Sequence, residues 1–196
     1  MIRTLLAATA LLAASHASAD PKTEVFAAWD AMVAAKSYRA DMETTAAGRT
    51  FKQTIEVIIP DHFRMYGGPG GEMILTPEGA WMKFPGQDAW MDAPPGTTEM
   101  ARQFMSPEFI EQAKAGIRSV ESLGTESVGG LETRVYKVEQ VMTVMGIESK
   151  TSSRLYVDTA SGRPVRQEIE SEAMGQRSST RQDIRYVADL QIVAPK

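Results

Sequence analysis

The chain has 196 residues, with 21 Lys+Arg, 25 Asp+Glu, two His and no Cys. That length suits one domain with a real hydrophobic core, and 23% charged against 43% hydrophobic residues fits neither a disordered chain nor a multi-span membrane protein. The missing cysteines exclude disulfides, zinc–thiolate and iron–sulfur sites and thiol catalysis, and two histidines leave little for imidazole-based metal or acid–base chemistry.

Residues 1–19 read as a secretory signal peptide. Arg3 is a short positive region, Leu5 to Ala14 an apolar stretch, and Ala17-Ser18-Ala19 a cleavage signature before Asp20. The apolar run is too short to span a bilayer, and no Cys follows the cleavage point to carry a lipid. The expected product is a soluble periplasmic protein, residues 20–196. It has 177 residues, 20 Lys+Arg against 25 Asp+Glu, and one histidine, His62. This mildly acidic balance argues against nucleic acid as a partner, and no run of consecutive Lys/Arg suits anionic headgroups.

Residues 22–36 predict a helix, with Val25, Phe26, Trp29, Met32 and Val33 forming one apolar stripe. From Ser37 the period becomes two. Tyr38, Ala40 and Met42 alternate with charged residues, and after a turn at 46–49 Phe51, Gln53, Ile55 and Val57 alternate with Lys52, Thr54, Glu56 and Ile58. This is the pattern of an antiparallel sheet with one wet face. Pro60-Asp61 breaks the run. Phe63–Tyr66 predicts a short strand, and Gly67-Gly68-Pro69-Gly70-Gly71 a flexible loop. Met73–Thr76 and Ala80–Phe84 predict a hairpin, and Ala89–Asp92 another short strand. Two short helices are expected at 97–105 and 107–115, with Ser106 as a cap and Pro107 at the second start. Long strands follow at 120–128, 131–144, 147–158, about 165–172 and 178–189, and then a tail. The sum is an α+β chain, mainly antiparallel β, with ten or eleven strands and three helices.

Catalytic motifs are missing. No nucleophile elbow, phosphate loop or dinucleotide fingerprint occurs. His62 stands beside Asp61 with no nucleophile in view, and the acids at 168, 170 and 172 alternate outward on a strand. No enzyme, cofactor or metal site is expected. The informative excess is methionine, eleven in the mature chain. Met42, Met65, Met73, Met82 and Met91 fall on inward phases of strands. Methionine is flexible and polarizable, and suits apolar surfaces that adapt to varied ligands. With Ile55, Phe84, Phe104 and Leu155 these methionines are the expected apolar cavity lining, and Arg64 is the expected polar residue at its mouth.

Several patterns in order resemble the LolA/LolB-like superfamily of periplasmic lipoprotein carriers, including LppX-type proteins. They are the strand from Ser37; Ile58-Ile59-Pro60-Asp61-His62-Phe63-Arg64-Met65; Met73-Ile74-Leu75-Thr76-Pro77-Glu78-Gly79-Ala80-Trp81-Met82; and Leu155-Tyr156-Val157-Asp158 with Gly162-Arg163-Pro164-Val165. The resemblance implies an incomplete, half-open antiparallel β-barrel under a helical lid, whose apolar face holds a lipid, an acylated protein or another hydrophobic ligand. It also implies a possible membrane-protein or lipoprotein partner. The second reading is a protein-interaction or envelope-stress sensor module on the same fold.

Overall fold

The computed structural model describes residues 20–144 and 146–195, and all of those side chains except Phe104, Met105, Pro107 and Val144. The expected signal peptide, 1–19, lies outside the described residues. The first element is helix α1 (Pro21–Ala34). Asp20 caps it by accepting a hydrogen bond from the Thr23 backbone N–H at 3.3 Å, and Pro21 occupies the first turn, where an N–H has no helical partner.

Eleven strands follow. These are β1 (Ser37–Ala46), β2 (Arg49–Ile58), β3 (His62–Gly68), β4 (Gly71–Thr76), β5 (Gly79–Lys83), β6 (Met91–Asp92), β7 (Ile117–Val128), β8 (Leu131–Val144), β9 (Ile147–Asp158), β10 (Pro164–Ala173) and β11 (Gln176–Tyr186). Helices α2 (Thr97–Met105) and α3 (Pro107–Ala115) lie between β6 and β7. Ser106 starts α3, its hydroxyl accepting from the Phe109 backbone N–H at 3.2 Å.

All strands belong to one antiparallel sheet in the order β6-β5-β4-β3-β2-β1-β11-β10-β9-β8-β7. Nearly every neighbour is joined by a hairpin; the exception is β1 against β11, which couples the two halves of the chain. The edges are β6 and β7, so the sheet is an incomplete barrel. Because β6 and β7 are consecutive in sequence yet sit at opposite edges, the chain must cross the open side between them. It crosses as α2, packed on β5, and α3, packed on β8. That crossing is the helical lid.

The core under α1 is formed by Val25 and Ala28 against Ile117, Tyr136, Val138, Leu155 and Val157. Each fully buried large aliphatic residue here is worth about 1.5–3 kcal/mol. The buried stripe of α1 is narrower than its sequence pattern suggests. Phe26 and Trp29 are only partly buried, packed at the edge of this core and stacked on each other with ring centroids 6.4 Å apart.

The glycine segment differs from the expected loop. β3 runs to Gly68 and β4 starts at Gly71, leaving Pro69-Gly70 as a tight turn, with a register irregularity between Met65 and Gly68. Gly71 has φ +87°, and a Cβ placed on it would meet the Lys83 carbonyl oxygen at 2.1 Å. Only glycine lets the β5 end come so close. Beyond β11, residues 187–195 leave the sheet, where the last strand was expected to continue to 189. Ile192 is buried there, and residues 191–195 border a cavity of about 310 Å³ with Arg64, Ile74 and Trp90.

Candidate functional site

Side chains alternate between faces along a strand, so the register places each residue. Tyr136 and Leu155 pack against α1 and define the helix-bearing face. Following the pairs from there, Leu155 opposes Gln167, Gln167 opposes Gln182, and Gln182 opposes Met42. One step along β1, Ala40 opposes Ile55. The row then continues as Ile55–Met65, Met65–Met73, Met73–Met82 and Met82–Met91. Five adjacent strands, β2 to β6, therefore carry one uninterrupted cross-strand row on the helix-bearing face, and four of its five members are methionines.

The row is neither sealed nor bare. Ile55, Met65, Met73 and Met82 are half-buried, and Met91 is 40% exposed. Phe63 opposes the fully buried Leu75 in the next row on the same face. These two share the phase of the methionines and extend the apolar surface, although they were not among the expected lining residues. Their signal was the same alternation, on strands too short to stand out.

The same face becomes more polar toward β9–β11, where Ser153, Gln167, Thr180 and Gln182 surround Ile169. The Thr44 and Thr180 hydroxyls lie 3.0 Å apart, Gln167 Nε2 donates to Ser153 Oγ at 3.3 Å, and Gln53 Nε2 approaches Met42 Sδ at 3.8 Å. Met42 thus sits on the border between an apolar wing, β2–β6, and a polar wing.

Other expected site residues lie apart from the row. Leu155 is 1% exposed and belongs to the core beneath α1, where it lines nothing open. Phe84 follows β5 and is 41% exposed. Phe104 lies in α2, and its side chain is outside the described ones. Arg64 alternates with Met65 and therefore projects from the opposite face. There its Nε donates to Glu72 at 2.7 Å, its guanidinium stacks over Tyr66 at 4.9 Å, and Glu56 lies 3.9 Å away. It is part of the charged surface and does not stand at the mouth of the methionine row.

That opposite face is a lattice of paired charges. Arg39 holds the buried Glu56, with Nε–Oε1 at 2.9 Å. Arg166 and Arg181 share Asp183 at 2.6 and 3.1 Å, and Arg185 pairs with Asp41. The Tyr156 hydroxyl donates to Glu168 at 3.1 Å, and burial together with that acceptor raises the phenol pKa. A cavity of about 780 Å³ lies at the far ends of β1 and β8–β11, lined in part by Thr45, Glu139, Ser152, Glu170, Glu172 and Arg177. These six side chains share the charged face, and no methionine of the row lines this cavity. Lys137 and Ser152 hold the Glu139 carboxyl below its usual range by hydrogen bonding.

No protein-family model and no curated protein sequence matches the chain. Solved structures do match. The lipoprotein LppX of Mycobacterium tuberculosis superposes with a TM-score of 0.63 at 14% identity, covering 88% of this chain and 97% of LppX. LprF of Mycobacterium bovis superposes with a TM-score of 0.57 at 10% identity, covering 90% of this chain and 98% of LprF. The fold is LppX-like. The half-open sheet and the helices between its edges agree with the architecture implied by the resemblance in sequence. Within this fold the strand pairings put the methionine row on the face that carries the core under α1 and the ion-pair lattice on the other.

Proposed function

We propose that this chain is an exported periplasmic binder of a lipid-like amphiphile, and that it carries its ligand without chemical transformation. The observation that supports this best is the row Ile55–Met65–Met73–Met82–Met91. It is apolar, half-exposed, continuous over five strands and on the same face of the sheet as the core under α1. Each methylene moved from water onto such a wall contributes about 0.8 kcal/mol. Methionines can reshape around chains of different length or branching. The polar wing of the same face supplies hydroxyls and amides where a headgroup would lie. The LppX-like fold supports the reading, since LppX is itself described as a lipoprotein. Export rests on the features of residues 1–19. Among the described residues no helix is long and apolar enough to cross a membrane.

The test is mass spectrometry of organic extracts from protein purified without detergent, with titration of a fluorescent fatty acid. A co-purifying lipid, and probe binding displaced by it, are expected. A protein that comes out empty and leaves the probe unbound at micromolar concentrations sinks the proposal.

A further inference from the structure

The absence of Cys and the single His of the mature chain led to no metal site being expected. Among the described residues, no three His, Asp or Glu side chains gather as hard-metal ligands. The fold nevertheless assembles donors of another kind. Met65, Met73, Met82 and Met91 are direct cross-strand neighbours on β3, β4, β5 and β6. We propose that this methionine row is a binding site for one soft monovalent cation, copper(I), held by three neighbouring thioethers with a fourth in reserve.

The geometry supports convergence. Directly opposed residues of an antiparallel pair have Cβ atoms about 4.5–5.5 Å apart. The outer two of any three neighbours are therefore about 10 Å apart at Cβ. A methionine carries its sulfur two bonds beyond Cβ on freely turning torsions. The outer side chains can lean toward the middle one until all three sulfurs face a common point above its strand. Leucine or isoleucine at these positions would make an equally apolar wall but offer no donor.

The surroundings select the ion. On the helix-bearing face, β3 to β6 present Phe63, Met65, Gly71, Met73, Leu75, Ala80, Met82 and Met91 by phase, with no carboxylate or imidazole. Thioethers without harder donors favour copper(I) over zinc, magnesium or calcium. The ion also has access, since Met91 is 40% exposed and the other three are half-buried. The inference does not depend on lipid binding.

The test uses the mature protein labelled with ¹³C at the methionine methyl groups. It is titrated with silver nitrate in chloride-free buffer, and with copper(I) under anaerobic conditions. The expected result is saturation at one equivalent. The methyl signals of Met65, Met73 and Met82 should shift, while that of Met174, 81% exposed at the β10–β11 turn, stays in place. Zinc(II) should shift none of them. Met73→Leu and Met82→Leu are volume-conserving and keep the fold, and each should weaken silver binding by at least about tenfold. Fatty-acid binding is read on the parent protein alone, without metal, so a protein that binds silver but no fatty acid, or the reverse, separates the two proposals. No saturable shift, a shift of Met174 equal to the rest, or unchanged affinity in both variants overturns the inference.

Discussion

Tyr136 is 1% exposed in the middle of β8, and its hydroxyl donates to the Glu24 carboxylate of α1, which also pairs with Arg134 at 2.6 Å. Burial, and then the hydrogen bond and charge of Glu24, push its phenol pKa from 10.0 up to about 12. The fold therefore favours the protonated phenol. Its contribution is complete below pH 10 and is lost as pH rises from about 10 to about 12. Tyr186 and Tyr38 are also raised, chiefly by burial, so alkali should loosen the sheet at several points. For Tyr136→Phe we predict a loss of about 1–3 kcal/mol at pH 8, because Glu24 is left short of a donor. The variant should also lose less stability than the parent between pH 10 and pH 12. Urea midpoints of both proteins across that range measure it, and parallel curves would remove Tyr136 from the account.

Whole elements were legible where one periodicity ran long enough. The two-residue alternation from Ser37 to Ile58 and from Leu131 to Asp158 marks strands, and the phase that carries Met42, Ile55, Met65, Met73, Met82 and Met91 is one face in the structure. Arg64 was expected at the mouth of this row, yet its alternation with Met65 already sends it to the other side. Leu155 has the right phase, but pairing alone does not reveal that α1 lies over it. Local spacing is equally silent about contacts between distant elements. Lys114 of α3 is such a case. Its ammonium lies 2.7 Å from Asp30 of α1, 2.9 Å from Glu111, and 5.7 Å over the Phe26 ring. Asp30 first, and then Glu111, raise its pKa. This contact joins the lid to α1, and as a partly exposed ion pair it is worth roughly 0.5–1 kcal/mol. We predict that Lys114→Met speeds amide hydrogen exchange in α3 several-fold while the exchange of β1 and β11 stays as in the parent. Equal exchange in α3 would show that the lid is held by other contacts.

At the scale of the whole molecule, the sheet has two chemistries back to back, so each face can be disturbed without the other. Binding to the folded state alone must stabilise it, by about 2.7 kcal/mol at a hundredfold excess over Kd. For a chain of this size that corresponds to a rise in Tm on the order of 5–10 °C. Met91 and Asp92 allow a matched comparison. They are adjacent on β6, both are exposed, and they belong to opposite faces, since Met91 opposes Met82 and Asp92 opposes Trp81. Neither substitution buries a charge in the free protein. In the complex, however, Met91→Glu places a carboxylate against the ligand's apolar part, where its desolvation is uncompensated. Asp92→Lys changes charge by more, but on the side of the ion-pair lattice. We predict that fatty acid raises the Tm of the parent and of Asp92→Lys by similar amounts, and that Met91→Glu loses most of the rise while its ligand-free Tm stays close to that of the parent. Differential scanning fluorimetry with and without lauric acid measures all three. An equal loss in both variants would mean that net charge governs binding, whereas loss in Asp92→Lys alone would move the ligand to the other face.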